Sequence, residues 1–274
     1  MPSLVCIACA CSSAPGASPP VDTTPAIDAP SDATVRRWSA PRPVAGVSSP
    51  SSTDDDPTVT ADRLTIVFTS DRNGSDIDLF LGTRPDPDGS FTVIALDTLD
   101  SPGDESSPEL SADGTTLFFV SDRTGDDDIY VATRPPNGVF SAATRVDSLS
   151  LAGSSETDVA LSPDGLTAII RRSGTFLRAR RADTTAAFDT PIAIAGVSFG
   201  TNPSAPSLDA AGDLYYHAGT QRDLFVARAL GASFADPTRI TELATSARES
   251  APCVSADETY LMFARGGQIM ESTR

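Results

Sequence analysis

The chain has 274 residues, 39% of them hydrophobic, and a formal net charge of −17. That length and composition suit one large all-β domain or two small ones and exclude a chain disordered throughout. The charge opposes binding to nucleic acid or to an anionic membrane and favours cations or basic partners. There is no lysine, so apart from His217 every cationic side chain is an arginine. Of the cysteines Cys6, Cys9, Cys11 and Cys253, three crowd the first eleven residues. A disulfide framework would spread them through the fold, and a zinc site at Cys6–Cys9 would lack a second ligand pair, so no metal is expected there.

Residues 4–10 are small and apolar and stop at Cys11-Ser-Ser, a run too short to span a bilayer. The run resembles the end of a bacterial lipoprotein signal, in which a small residue precedes a cysteine that is cleaved and acylated. Ala8 before Cys9, or Ala10 before Cys11, fits that pattern, although a positive leader segment is missing. The resemblance implies export, lipidation at Cys9 or Cys11, and a periplasmic or outer-membrane-associated location with membrane contact through the lipid alone. Residues 12–35 are mostly Ser, Ala, Pro, Asp and Thr. Such a segment cannot bury enough surface to offset its ordering entropy, and a disordered tether is expected.

From residue 36 onward the chain repeats itself. PTVTADRLTIVF (57–68) returns as PELSADGTTLFF (108–119), VALSPDGLTAII (159–170), PSLDAAGDLYY (206–216) and PCVSADETYLMF (252–263). The anchors Asp62, Asp113, Asp164, Ala211 and Asp257 lie 51, 51, 47 and 46 residues apart. A fixed period of this length marks a propeller, solenoid or array. Each unit reads as a short first strand, a turn such as Ser162-Pro-Asp-Gly165, and an apolar second strand. A Ser-Asp-Arg-x-Gly loop at 70–74 and 121–125 follows, then a third strand opening at Asp78, Asp128 or Asp223.

A fourth strand carries an aromatic residue followed six places later by a β-branched one: Phe140 with Val146, Phe188 with Ile194, Phe234 with Ile240. Phe91 with Leu96 is a variant one residue shorter. Trp38 with Val44 is a fifth copy, and it precedes the first complete repeat. The domain thus starts with a fourth strand and ends after a third, with none left over. This predicts an all-β, five-bladed propeller of four-stranded blades over residues 36–274, in which the N-terminal strand completes the C-terminal blade. Closure of that kind removes exposed sheet edges. An open solenoid would instead show capping repeats at both ends.

The repeat resembles that of TolB-type propellers, a relative of the WD repeats: an acidic residue, a Pro, Ser-Pro-Asp-Gly, an apolar strand, Ser-Asp-Arg-x-Gly, then Asp-Ile-Tyr. Residues 105–131 match nearly throughout, whereas the third copy replaces the loop with Arg171-Arg-Ser-Gly. The resemblance implies fold above all; members serve as periplasmic partner-binding modules and as side domains of peptidases. A monomer is expected.

In a propeller the first strands line a central channel, and the loops entering them share a face with the loops between second and third strands. Asp54, Glu105, Glu156 and Glu249 occupy one repeat position on that face, with Pro203 in the fourth copy. A ring of like charges calls for a bound cation, a basic peptide or internal arginine. As a binding ring it would recognise a protein or peptide of the cell envelope. Alternatively Arg72 and Arg123, in the same-face loops beside Asp71 and Asp122, bridge to these acids between blades. Asp71, Asp76, Asp78, Asp122, Asp126, Asp127 and Asp128 offer oxygens of the kind calcium takes, but without the EF-hand spacing; they read as turn formers, and no cofactor is expected. No Gly-x-Ser-x-Gly elbow occurs, and the sole histidine, at the end of an apolar strand, reads as a packed or rim residue. The expectation is a non-catalytic module. The alternative is a five-bladed glycoside hydrolase working through the four carboxylates alone.

Overall fold

The computed structural model describes residues 37–74 and 76–274. Residues 1–11, with Cys9 and Cys11, and the tether at 12–35 lie outside the described residues. Strand β1 is Arg42–Pro43. Blade 1 comprises β2 (Asp54–Val59), β3 (Thr65–Ser70), β4 (Asp78–Thr83) and β5 (Thr92–Ala95). Blade 2 comprises β6 (Glu105–Leu110), β7 (Thr116–Ser121), β8 (Asp128–Thr133) and β9 (Thr144–Arg145). Blade 3 comprises β10 (Glu156–Leu161), β11 (Thr167–Arg172), β12 (Thr175–Arg180) and β13 (Ile192–Ala193). Blade 4 comprises β14 (Ser204–Leu208), β15 (Leu214–Ala218) and β16 (Asp223–Ala227), then a short hairpin of β17 (Ala229–Leu230) and β18 (Ser233–Phe234), and lastly β19 (Thr238–Arg239). Blade 5 comprises β20 (Glu249–Val254), β21 (Tyr260–Arg265) and β22 (Gln268–Thr273), completed by β1.

The expected closure is present. Arg42 pairs with Glu271 and Pro43 with Met270. The Ser39 amide donates to the Thr273 carbonyl at 2.8 Å and the Val44 amide to Ile269 at 2.9 Å. Trp38 is only 5% exposed. The domain is therefore a five-bladed propeller whose fifth blade is completed by the N-terminal strand β1.

The turn between first and second strands explains the anchor motif. Asp113 Oδ1 accepts from the Ser111 hydroxyl at 2.7 Å and the Thr115 amide at 3.0 Å, and Asp62, Asp164 and Asp257 repeat the pattern. The next residue always takes positive φ: Arg63, Gly114, Gly165, Gly212 and Glu258. Glycine suits that conformation; Arg63 and Glu258 adopt it at a cost.

Five apolar clusters hold the ring, one at each junction between blades. Val67, Leu79 and Leu99 of the first blade and its connector meet Leu117, Phe119 and Tyr130 of the second. The N-terminal segment serves both flanks of blade 5: Trp38 packs with Tyr215 and Phe263 towards blade 4, and Val44 and Val47 pack with Ile66 and Phe80 towards blade 1.

Candidate functional site

The four acids of the proposed ring open the first strands of blades 1, 2, 3 and 5, and the structure buries them. Asp54, Glu105, Glu156 and Glu249 are each 0% exposed. Arg72 Nη2 donates to Asp54 at 2.6 Å, Arg123 Nη2 to Glu105 at 3.0 Å and Arg265 Nε to Glu249 at 3.0 Å; Arg172 pairs with Glu156. The same guanidiniums donate to the carbonyls of Val47, Leu99, Leu149 and Leu243 at 2.6–2.9 Å. Those carbonyls lie in the connectors arriving from the preceding blade. Each clasp thus ties a first strand, a second strand or its loop, and a connector. Arg123 also lies over the rings of Phe119 and Tyr130, at 5.4 and 4.7 Å from their centroids.

The carboxylates do not form an open binding ring, because all four are buried and paired with arginines of their own blades. Nor do Arg72 and Arg123 bridge acids between blades: each pairs with the acid of its own blade and reaches only a carbonyl of the incoming connector. Asp71 and Asp122 do turn-like work, accepting the Thr53 amide at 2.8 Å and the Asp104 amide at 2.9 Å. Among the other loop acids, Asp128 pairs with Arg145 at 2.7 Å.

Blades 3 and 5, which lack the Ser-Asp-Arg loop, place the arginine two residues earlier in the repeat, on the second strand itself: Glu156 pairs in register with Arg172 and Glu249 with Arg265. Blade 4 has neither partner, with Pro203 at the acid's position and Ala218 at the arginine's. Aromatic packing takes over there, Phe199 lying 5.3 Å from Phe176 and 5.5 Å from Tyr216 between ring centroids.

The channel holds a second, unanticipated set of polar groups. All five first strands have a bulge or register shift near the start, and Asp56, Ser107, Ala205 and Ala251 sit there at φ of 44–50°. Deeper in, side chains of one blade accept from the next: Thr58 from the Leu110 amide at 3.0 Å, Glu109 from Leu161 at 3.1 Å, Ser207 from Val254 at 3.0 Å. Burial pushes the Glu109 carboxyl up to about 8 and the Cys253 thiol up to about 12.

Nearer the mouth, Asp158 accepts from the Ser204 hydroxyl and the Ala205 amide, both at 2.8 Å. Asp55 accepts from the Ser250 hydroxyl at 3.0 Å, with Arg222 Nη1 3.8 Å away. Burial raises the Asp56 carboxyl well above the usual range, and Asp55 and Asp158 raise it further. His217 Nδ1 accepts the Ala251 amide at 3.2 Å. Burial, with Arg222 and Arg171 beside it, pulls the imidazole down to about 3, so it is neutral and carries its proton on Nε2. The cavity in this channel holds about 30 Å³, room for a water-sized group and far too little for a sugar ring.

Compared by sequence, the chain matches no protein-family model and no curated protein. By structure it is similar to an α-L-arabinofuranosidase from Podospora anserina solved with cellotriose, at TM-score 0.55 and 13% identity over 86% of this chain and 96% of that one. It is also similar to TolB from Acinetobacter baumannii, at TM-score 0.47 and 16% identity over 81% of this chain; it spans 54% of that TolB's length. A gluconolactonase from Xanthomonas campestris aligns at TM-score 0.49 and 15% identity over 86% of this chain and 90% of its own. At such identities the likeness is one of fold, and the similar structures mix TolB proteins with enzymes.

Proposed function

We propose that the protein is a non-catalytic binding module of the bacterial cell envelope, recognising a basic protein or peptide on the loop face of blades 1 and 2. The supporting observation is mutual repulsion among the acids of that face. Burial pushes the Asp78 carboxyl up to about 6, and Asp100, Glu105 and Asp76 add to it. Asp127 is raised by burial, and Asp122, Asp104 and Asp126 push the same way. A cationic partner relieves that repulsion, and in a propeller this face is formed by the connectors and the loops between second and third strands.

Asp100 and Asp126 are exposed and in neither clasp. Replacing both with Asn is expected to leave melting unchanged or raise it, as repulsion is relieved, and to weaken capture of the envelope partner by the full chain. Raising salt from 50 to 500 mM should weaken it too, because screening acts on exposed charge. Capture unaffected by either change would count against this face. The envelope location rests on the lipoprotein-like residues around Cys9 and Cys11. Replacing both with Ser should release the protein from the membrane fraction.

The hydrolase reading moves from the four clasped acids to Asp56 and Asp158, whose raised carboxyls suit a proton donor. The size of the channel cavity weighs against it. Release of nitrophenol from aryl glycosides, lost in Asp56→Asn, would restore it.

A further inference from the structure

Blade 4 breaks the repeat where the other four blades keep it, and the groups left around that break are under-satisfied in a complementary way. Arg222 stands on the loop after β15 at φ 57°, with its side chain 45% exposed. Among the described residues its one anionic neighbour within 4 Å is Asp55, at 3.8 Å, beyond hydrogen-bonding distance. His217 is 7% exposed, and its Nδ1 is committed to the Ala251 amide. Its Nε2–H has no acceptor among the described residues. Across the channel, the Asp56 carboxyl lines the cavity, with the Ser107 amide and the Arg222 charge near it. Asp158, by contrast, is saturated by Ser204, Ala205 and Thr157. The mouth therefore offers one under-used carboxylate beside two under-used N–H donors.

We propose that the channel mouth between blades 1, 3 and 4 binds a primary ammonium group with a carbonyl oxygen next to it, Asp56 taking the ammonium and Arg222 with the His217 Nε2–H taking the oxygen. A peptide's free amino terminus has this chemistry, and so does a free amino acid derivative. The channel cavity, of about 30 Å³, suits a small ammonium head better than a sugar ring. The inference rests on the peptide-binding reading above and assigns that partner a second point of contact, at the axis instead of on the loops.

The test is calorimetric titration of the full chain with tri-alanine amide, N-acetyl-tri-alanine amide and alanine amide. Tri-alanine amide is expected to bind, and acetylation to weaken it at least tenfold. Asp56→Asn should weaken it at least tenfold as well. Asn keeps the side chain's shape and tolerates positive φ, so this variant should melt at or above the parent and its loss of binding will not reflect unfolding. Arg222→Ala, on an exposed side chain, should lower the affinity of both free amines. Equal affinity for alanine amide supports the same chemistry, with an amino acid derivative as its source; tighter tri-alanine amide points to a peptide. Binding that ignores acetylation, binding unchanged in Asp56→Asn, or no binding by either free amine overturns the proposal. The loop-face variant Asp100→Asn, Asp126→Asn should leave tri-alanine amide binding intact. A protein that captures its envelope partner in a salt-sensitive way but ignores tri-alanine amide loses this site and keeps the acidic face.

Discussion

A guanidinium in the buried clasp does three jobs that an ammonium cannot combine. Arg123 pairs with Glu105, donates to the Leu99 carbonyl at 2.7 Å and lies over two aromatic rings. A lysine has neither the planar fork nor the stacking surface. Arg123→Lys is therefore predicted to cost about 1–3 kcal/mol, read by denaturant unfolding. Glu109 supplies a prediction with the opposite sign. Its folded carboxyl titrates near 8 against an ordinary 4.5, so the folded state keeps a proton that the unfolded chain releases between those values. The contribution is fully present below about pH 4.5 and is lost as pH rises through 8. Glu109→Gln should match the parent near pH 4.5 and exceed it at pH 9, by on the order of 1–3 kcal/mol after allowing for water in the channel. Melting curves across that range check both ends; equal stability at pH 9 would show that Glu109 ionises without penalty.

At the scale of the element, one device recurs at the opposite end of each clasped blade. Arg84, Arg134, Arg181 and Arg274 lie 4.3–4.6 Å from the centroids of Phe91, Phe140, Phe188 and Trp38. Each also donates Nε to the carbonyl of the positive-φ turn residue, at 2.7–2.8 Å. The fourth-strand aromatic is thus pinned by an arginine that also caps a turn. Trp38 receives its arginine from the far end of the chain. Trp38→Ala is expected to cost roughly 3–5 kcal/mol, like its Phe counterparts in blades 2 and 3, by denaturant unfolding.

The fourth-strand signal was legible because aromatic and β-branched residues recur at constant spacing, and so were the turns and the closure. The clasps were legible in place but not in environment: the repeat position of Glu105 says which residues share an address, and nothing about whether solvent reaches it. Arg172 and Arg265 escaped because those blades carry the arginine at a different repeat position from Arg72 and Arg123. The channel mouth escaped because only Asp56 and Asp158 share a repeat position, whereas His217 and Arg222 come from the second strand of blade 4 and the loop after it, with no counterpart in the other copies.

In the whole molecule, closure joins these parts into one ring. Residues 38–47 contribute to the apolar clusters on both flanks of blade 5 and cover the edge of β22. Deleting residues 1–44 should expose that edge, lower the melting temperature and produce concentration-dependent association on size exclusion. On this reading the acids at the head of the first strands hold the ring together instead of recognising a ligand. Thermal melting of the full chain carrying Glu105→Gln and Glu249→Gln tests it most directly. Each change leaves a half-buried arginine without its buried counter-charge, at about 2–4 kcal/mol. For a domain of this size the pair should lower the melting temperature by about 10 °C or more. A melting temperature unchanged or raised would contradict the account, since relief of like-charge repulsion in an open ring gives that result.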